Sequence, residues 1–412
     1  MSLYSSFYAS LSGLSSNANS LSVIGNNLAN LNTIGFKGSS STFQDMFNAA
    51  ALGQGTSGNG NPIQIGLGTQ LASINPNFGQ GSFQSTSNTT DMGLSGSGFF
   101  TLQTAAGGRV YSRAGNFSLN HAGSLIDPNG NSVLGWNAVA GAISTSGALV
   151  PIQINLGASS QPIPTSQITM TTNLNASTAT GSTFVAPVTV YDSLGASHNL
   201  TATYTKTATT GQWTMALTTD DASATVAVVP ASAATVQFNS AGIMTSPVGA
   251  ISIGITGWSD GAAASTIAWN PQTDVSSFST ASSITTTTQN GMGGGNITAV
   301  TVDQDGKIIG SFTNGQTLAL AQVALSNFNN QEGLSKLGNN TWAETLASGT
   351  PAVGVANQAG RGRVLGSQLE LSNVDVASEF TQLIVNQRGY QANSRVVTTT
   401  DDLLQETLNL KR

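Results

Sequence analysis

The segment from Val374 to Leu410 carries its apolar side chains at alternating steps of three and four residues. This spacing predicts a long helix with an apolar seam of the coiled-coil type, because residues three and four apart share one helix face. The seam consists of Val376, Phe380, Leu383, Gln387, Tyr390, Ser394, Val397, Asp401, Leu404 and Leu408.

A second seam accompanies the first on the same helix. It begins at Val385, about two and a half turns after Val376, so it lies on the opposite side of the helix. Its members are Val385, Gly389, Ala392, Val396, Thr399, Leu403 and Leu410. A helix with two apolar seams is expected to contact more than one partner.

The start of the chain shows the same three-four spacing and predicts a helix over residues 3–31. The repeating positions are Tyr4, Phe7, Leu11, Leu14, Ala18, Leu21 and Leu28. Residues 1–36 carry no charge, which favours a helix that meets little bulk water. Two such terminal helices indicate assembly with further copies, although the spacing alone also permits a helical hairpin within one chain.

Between the helices the chain is typical of β structure, with short alternating runs separated by glycine-rich turns. The predicted fold is mainly β with long terminal α-helices and nested, discontinuous domains. The predicted parts are a terminal helical domain (1–36 and 365–412), a connecting irregular segment (37–70 and 359–364), an inner β domain (71–145 and 285–358) and an inserted outer β domain (146–284).

Composition limits the possible functions. Of the 412 residues, 12 are Lys or Arg and 18 are Asp or Glu, giving a net charge of −6. This balance argues against a nucleic-acid partner, which requires a basic face. The chain lacks any run of about 18 apolar residues, so we expect no membrane insertion. Its first charge is Lys37, so no basic leader region is present and export without a cleavable signal peptide is expected.

The candidate chemical groups favour structural roles. His121 and His198 do not lie near a ligand or triad pattern in the sequence, and cysteine is absent, so we predict no catalytic, cofactor or metal site. Asp303–Gly306 begins like a calcium loop but lacks the later acidic positions of an EF-hand. Its position between two strand-like runs predicts a hairpin turn instead.

Four stretches resemble the bacterial flagellar axial proteins of rod and hook. The run Ser12–Lys37 contains NNLAN at Asn26–Asn30. The residues that match the family motif are Asn26, Asn27, Asn30, Thr33, Gly35, Phe36 and Lys37. The closing run Ser372–Leu410, with NQRG, YQAN and TTDDL, is similar to the last helix of the family. Phe83–Phe100 and Tyr111–Leu125 resemble its core β domain.

This resemblance implies a non-enzymatic structural subunit that polymerises into a helical tube outside the cell. The room for an inserted β domain favours a hook-type member, whose curved tube couples the motor rod to the filament and transmits torque. The partners implied are further copies of the chain, the distal rod, the hook cap, the hook–filament junction proteins and the flagellar type III export apparatus.

Three other functions remain open from the sequence. A distal-rod-type axial protein would share the terminal helices but build a straight, stiff shaft. A secreted β-rich fibre or adhesin would also favour Thr, Gly and Ser. A polysaccharide-acting enzyme would need two carboxylates facing each other across a groove, and acidic residues are sparse here.

Overall fold

The two predicted terminal helices are present in the computed structural model, which describes residues 3–46, 49–50, 64–139, 141–155, 157 and 159–409. Helix α1 spans Leu3–Ala29 and helix α3 spans Val376–Asn409. Among the described residues, the one α-helix between them is the four-residue α2 (Pro271–Asp274). No described helix has both the length and the hydropathy needed to cross a bilayer.

The rest of the described chain is β structure joined by turns. In the first part of the chain the strands are β1 (Ser39–Asp45), β2 (Ala49–Ala50), β3 (Gln64–Ile65), β4 (Thr69–Pro76), β5 (Phe83–Ser85), β6 (Met92–Ser95), β7 (Phe99–Gln103), β8 (Arg109–Ser112), β9 (Ser118–Leu119), β10 (Leu125–Ile126), β11 (Ser132–Val139), β12 (Ala142–Ile143) and β13 (Val150–Pro151). The middle strands are β14 (Ser159–Ser160), β15 (Ile168–Asn173), β16 (Thr183–Tyr191), β17 (Ser197–Lys206), β18 (Gln212–Thr219), β19 (Thr225–Val229), β20 (Thr235–Phe238), β21 (Met244–Ser246), β22 (Ile251–Thr256), β23 (Ser265–Trp269), β24 (Val275–Ser276) and β25 (Ser283–Gln289). The last strands are β26 (Gly295–Val302), β27 (Lys307–Phe312), β28 (Thr317–Val323), β29 (Leu325–Asn327), β30 (Ser335–Gly338), β31 (Thr341–Ala343), β32 (Ala352–Gly354), β33 (Arg363–Gly366) and β34 (Gln368–Glu370).

The chain forms two compact units. Unit 1 comprises Met1–Asn155, Val300–Ile309 and Leu318–Arg412, and unit 2 comprises Leu156–Ala299 and Gly310–Thr317. The terminal helices and the inner β strands therefore belong to one unit. Unit 2 starts later than the predicted insertion at residue 146, because β13 pairs with β11 and thereby holds the intervening chain in unit 1.

The predicted irregular segment at 37–70 contains a strand. Strand β1 pairs antiparallel with β4, from Ser39 opposite Pro76 to Asp45 opposite Thr69. The prediction failed here because β1 (SSSTFQD) lacks clear apolar alternation and gains its order from its partner strand and from α1. The predicted loop at Gln54–Pro62 lies outside the described residues. The predicted irregular segment at 359–364 likewise ends in β33, which pairs with β6.

An aromatic cluster forms the centre of the β part of unit 1. Phe99, Tyr111, Phe328 and Trp342 are buried together, and Phe78 packs against them. The Tyr111 and Phe328 rings meet edge to face with centroids 4.8 Å apart, a favourable geometry for aromatic pairs. Strands β7, β8 and β31 carry three of these rings and pair side by side, so the cluster stabilises this part of the inner sheet.

Unit 2 has its own core. Five of its aromatic side chains are buried in one cluster: Tyr204, Trp213, Phe238, Trp258 and Trp269. Three of them come from the antiparallel sheet β16–β17–β18–β20–β21. The other two come from strand β23 and from the turn between β22 and β23. The entry and exit of the unit are adjacent, because Ser159 pairs with Asn296 and Ser160 with Gly295.

The acidic loop at Asp303–Gly306 is the predicted turn. The Asp303 carboxylate accepts the backbone N–H groups of Asp305 at 3.0 Å and of Lys307 at 2.8 Å. Gly306 has a φ of +74°, a left-handed conformation that suits glycine. The carboxylate oxygen thus stabilises the turn between β26 and β27.

Two buried tyrosines provide a matched test of hydrogen bonding in the cores. Among the described residues the hydroxyl of Tyr204 has no hydrogen-bond partner, whereas that of Tyr111 donates to Glu344 at 2.9 Å. Because an unsatisfied buried hydroxyl destabilises the fold, Tyr204→Phe should raise the free energy of unfolding by about 1 kcal/mol. Tyr111→Phe should lower it by about 1.5–3 kcal/mol, since a bond to a charged group is lost. Urea denaturation of both variants checks these signs.

The same tyrosines predict a loss of stability in alkali. Burial raises the pKa of Tyr204, and burial together with the Glu344 bond raises the pKa of Tyr111. Above pH ~10 these groups ionise in the unfolded chain but stay protonated when folded, so their stabilising contribution falls as pH rises. Tyr204→Phe should reduce this alkaline loss, and an unchanged pH profile would contradict the assignment.

Candidate assembly interface

Helices α1 and α3 pack against each other within the chain. The less exposed positions of α3 recur every three to four residues and include Leu383, Val397, Thr400 and Leu404. On α1, Ile24 is buried and Leu14, Leu21 and Leu28 are half-buried. The helical hairpin that the spacing permitted is therefore present. It covers only part of the apolar surface of the two helices.

Small residues allow the two helices to approach closely. A Cβ atom placed on Gly13 would lie 2.6 Å from Nδ2 of Asn393, and one on Gly389 would lie 3.2 Å from Asn17. These glycines weaken each helix in isolation, by about 1 kcal/mol relative to alanine. Their place at the helix contact explains why the sequence tolerates that cost.

Serine hydroxyls attach α1 to the β1–β4 hairpin. The hydroxyl of Ser16 lies 3.1 Å from that of Thr69, and the hydroxyl of Ser41 donates to Ser20 at 3.3 Å. Ser16 and Ser20 are both buried. The uncharged α1 thus faces α3 on one side and a strand pair on another.

Apolar side chains of both helices remain exposed after the two have packed. The exposed set is Tyr8 and Leu11 on α1, with Val376, Phe380, Ile384, Val385, Tyr390, Val396 and Leu403 on α3. Val385 is 64% exposed and Phe380 is 52% exposed. An exposed apolar surface of this kind marks a protein contact site.

The residues predicted to form the interface divide into two groups. Half-buried members are Phe7, Leu14, Leu21, Leu28, Leu383, Val397 and Leu404; exposed members are Leu11, Val376, Phe380, Tyr390, Val385, Val396 and Leu403. The side chains of Tyr4 and Leu408 lie outside the described part of the chain. The second seam is the more exposed one, and Ile384, which belongs to neither predicted seam, is half exposed beside it.

The motif asparagines organise the end of α1. Asn27 is buried; its amide oxygen accepts the N–H of Ser39 at 2.9 Å, and its amide nitrogen donates to the Ser39 carbonyl and to Glu379 Oε1. Asn30 donates to the Asn26 carbonyl at 2.9 Å and so satisfies a carbonyl of the last helical turn. Asn27 therefore connects α1, β1 and α3 at one point.

The remaining motif residues form the turn after α1. The Thr33 hydroxyl donates to Asn30 at 3.2 Å. Gly35 has a φ of +66° and lies against the backbone of Ala114, so only glycine fits without strain. Phe36 is buried beneath the ammonium group of Lys336, which lies 4.7 Å from the ring centroid. The turn directs Lys37 inward.

Lys37 enters a buried ion cluster with Glu370 and Arg113. Its Nζ lies 2.6 Å from Glu370 Oε1 and donates to the Gly79 carbonyl at 2.8 Å. The Nη1 atom of Arg113 lies 3.6 Å from Glu370 Oε2. All three side chains are at least 98% buried. Burial, opposed by the attraction of Glu370, lowers the pKa of both Lys37 and Arg113.

This ion cluster joins three parts of unit 1. Lys37 follows α1, Glu370 precedes α3, and Arg113 follows β8. Further donors to Glu370 are the side chain of Gln80 and the N–H of Gly81. Sequence reasoning identified Lys37 through its motif but missed Glu370 and Arg113. No local pattern marks either residue, since the carboxylate and its lysine are far apart in the chain.

The sequence shows no ligand or triad pattern near either histidine, but the fold places three carboxylates beside His198. Its Nε2 lies 2.9 Å from Asp192 Oδ2 and its Nδ1 lies 3.7 Å from Asp220 Oδ1, and Asp260 is also adjacent. Burial acts to raise the pKa of Asp192, but hydrogen bonds, first that from His198, outweigh it and lower the pKa. Asp192 also accepts the N–H groups of Leu194 and Ala196, so the cluster stabilises the turn between β16 and β17.

Comparison with known proteins places the chain in the flagellar axial class. The model described as "Flagella basal body rod protein" matches residues 7–37, and "Flagellar basal body rod FlgEFG protein C-terminal" matches residues 366–410. "Flagellar hook protein FlgE/F/G D1 domain" matches residues 93–175, and "Flagellar basal body protein FlaE D2 domain" matches residues 155–292.

Full-length relatives identify the family within this class. The flagellar hook protein FlgE of Salmonella typhimurium is 33% identical over 98% of this chain and 100% of that protein. That of Escherichia coli K12 is 32% identical over 98% and 100%, and that of Borreliella burgdorferi is 33% identical over 98% and 99%. The chain belongs to the flagellar hook protein family. The crystal structure of Helicobacter pylori flagellar hook protein FlgE2 aligns with 70% of this chain and 100% of that chain, at 14% identity and a TM-score of 0.48.

Proposed function

We infer that this protein is a structural subunit of the bacterial flagellar hook. The inference rests on the full-length similarity to hook proteins, supported by the apolar surface that α1 and α3 leave exposed after they pack. The family is one of structural proteins, which implies that the subunit is not an enzyme. Within the axial structure of the flagellum, its first partner is another copy of itself.

The exposed seam of α3 supplies the contact between copies. Val385, Val396 and Leu403 face away from the helix pair, so a neighbouring subunit can cover them without disrupting it. Such a contact joins different surfaces of the two copies, and head-to-tail contacts that do not close on themselves generate open helical filaments. The polymer is a tube that couples the motor rod to the filament.

The junction around Glu370 transmits force between the parts of unit 1. An ion cluster buried at the bases of α1 and α3 resists rotation of the helices relative to the inner strands, because separating its members exposes unpaired charges. Torque carried by the helices therefore passes to the β structure. Unit 2, with few charged groups, makes few strong directional contacts and lets neighbouring copies slide as the tube bends.

The alternative functions are less well supported. A distal-rod-type protein would share the terminal segments, but hook proteins match this chain along almost its whole length, including the D2 region at 155–292. A secreted fibre or adhesin does not require the terminal motifs that the rod models match. Further proposed partners are the distal rod, the hook cap, the hook–filament junction proteins and the flagellar export apparatus, with the subunit located outside the cell in the hook.

The proposed domain arrangement is a terminal helical domain, an inner β domain and an outer domain that corresponds approximately to unit 2. The outer domain sets the curvature of the tube, and the helices build its wall. This division predicts that the outer domain can be removed without preventing assembly.

Excision of the outer domain provides the test of the hook function. Because Ser160 and Gly295 are paired neighbours, residues 161–294 can be replaced by Asn-Gly, which favours a two-residue hairpin turn. The shortened protein should form straight tubes, whereas the full chain should form curved tubes after salting out. Electron microscopy distinguishes these forms. Curved tubes from the shortened protein would refute the role in curvature, and fibres or monomers from the full chain would refute the hook function.

A further inference from the structure

Unit 2 contains one lysine and no arginine. Its charged side chains are Lys206 and five aspartates, Asp192, Asp220, Asp221, Asp260 and Asp274. A lone ammonium group in an acidic unit is expected to pair with one of those carboxylates. In unit 2 it does not, since none of the described carboxylates lies within ion-pair distance of the Lys206 ammonium group.

Lys206 is the last residue of β17 and lies on the inward face of that strand. It continues the alternation of the buried residues Leu200, Ala202 and Tyr204, and is itself only 9% exposed. Its Nζ lies 5.0 Å from the centroid of the Trp213 ring. The ammonium group has three N–H donors, and none has a hydrogen-bond acceptor among the residues that the structure describes.

An open cavity of about 480 Å³ adjoins Lys206. Several residues lining the cavity carry hydroxyl groups, and none of the lining residues is acidic. The polar lining residues are Thr180, Lys206, Thr207, Thr209, Thr210, Asn239, Ser240, Ser277 and Ser279. An ammonium group without a carboxylate partner, beside a cavity whose lining includes hydroxyls, suits a carboxylate ligand, because charge-assisted hydrogen bonds are stronger than neutral ones.

Two exposed acidic residues lie near the opposite end of β17. Asp220 and Asp260 lie beside His198, near the start of the strand, and both are exposed. His198 Nε2 bonds to Asp192. The strand rises about 3.3 Å per residue, so roughly 25 Å separates His198 from Lys206. The acidic end of one copy therefore cannot reach its own Lys206.

We propose that the Lys206 cavity binds the acidic end of unit 2 of a second copy of this chain. The carboxylate of Asp260 accepts the hydrogen bonds of the ammonium group. The contact joins unlike ends of two units, so it propagates rather than closing into a dimer. It rests on the proposed function as a polymer subunit and adds a specific contact outside the helices. Charge complementarity selects this occupant, because the cavity offers the one lysine of unit 2 and the opposite end an excess of acid.

A charge exchange tests the contact. Lys206→Glu and Asp260→Lys should each raise the critical concentration for tube assembly about tenfold, equivalent to about 1.4 kcal/mol. The double variant should return it to within about threefold of wild type, because each copy then presents both reversed ends. The effect of the single variants should diminish at 1 M salt, where charges are screened within about 3 Å. Sedimentation of assembled tubes measures all four proteins.

Controls separate this contact from a folding defect and from the binding of free anions. Lys307→Glu reverses a half-exposed lysine of unit 1 and should leave the critical concentration unchanged. Thermal unfolding of the Lys206→Glu monomer identifies any loss of folding. Failure of the double variant to recover, or normal assembly of Lys206→Glu, overturns the proposal. Normal assembly with a loss of acetate binding by the monomer would assign the cavity to free anions instead. If wild-type protein forms no tubes, the proposed function fails rather than this contact alone.

Discussion

Val385→Asp should abolish tube assembly while leaving the monomer folded. Val385 is 64% exposed on the face of α3 turned away from α1, so the monomer tolerates a charge there. In the polymer a neighbouring copy covers this position, and an unpaired buried charge costs at least several kcal/mol. A loss of about 3 kcal/mol raises the critical concentration more than about 100-fold. Sedimentation and electron microscopy at wild-type assembly concentrations check this outcome.

Matched substitutions show whether the effect belongs to the seam. Val139→Asp changes an 80% exposed valine of the inner β structure and should assemble normally. Leu21→Asp and Leu404→Asp alter half-buried positions, so they should weaken both the helix pair and assembly. Assembly of Val385→Asp at the wild-type rate would exclude the exposed seam of α3 from the interface.

Glu370→Gln should destabilise unit 1 strongly. The change is nearly isosteric, but it leaves Lys37 and Arg113 buried without their carboxylate. Breaking a buried ion pair by removing one partner costs about 3–5 kcal/mol. Urea denaturation of the monomer should therefore show a much lower midpoint. Tube assembly in a mixture of wild-type and Glu370→Gln protein also reports whether the junction around Glu370 affects assembly.

Two further variants test the cause of that loss. Glu332→Gln removes an exposed carboxylate of the same unit and should change stability by less than about 0.5 kcal/mol. Adding Lys37→Met to Glu370→Gln should recover part of the loss, since one of the two unpaired cations is removed. Equal stability of Glu370→Gln and wild type would mean that the cluster does not stabilise the junction.

The helices are the part of the fold that the sequence predicted most closely. The expected helix at 3–31 is α1, Leu3–Ala29, and the seam from Val374 to Leu410 lies on α3, Val376–Asn409. Helical hydrogen bonds connect residues four apart, so spacing within a short window contains most of the information needed. The hairpin turn at Asp303–Gly306 was predictable for the same reason, because its carboxylate bonds only to its near neighbours.

Contacts between distant parts of the chain were decided by the tertiary structure. Strand β1 has little apolar pattern of its own and exists because β4 and α1 lie beside it. His198 has no charged partner pattern in the sequence, and it gains its acidic neighbours only when the turns carrying Asp220 and Asp260 meet it.

Local sequence determined the type of each terminal element but not which of its faces would be covered. Periodicity placed Leu383 and Val397 on the same seam as Phe380, yet α1 partly covers the first two and leaves Phe380 exposed. Lys37 could be singled out by its motif, whereas Glu370 became recognisable only when folding buried it against that lysine. A buried charge requires a partner, but any acidic residue in the chain could supply it, so its identity depends on the fold that brings the two together.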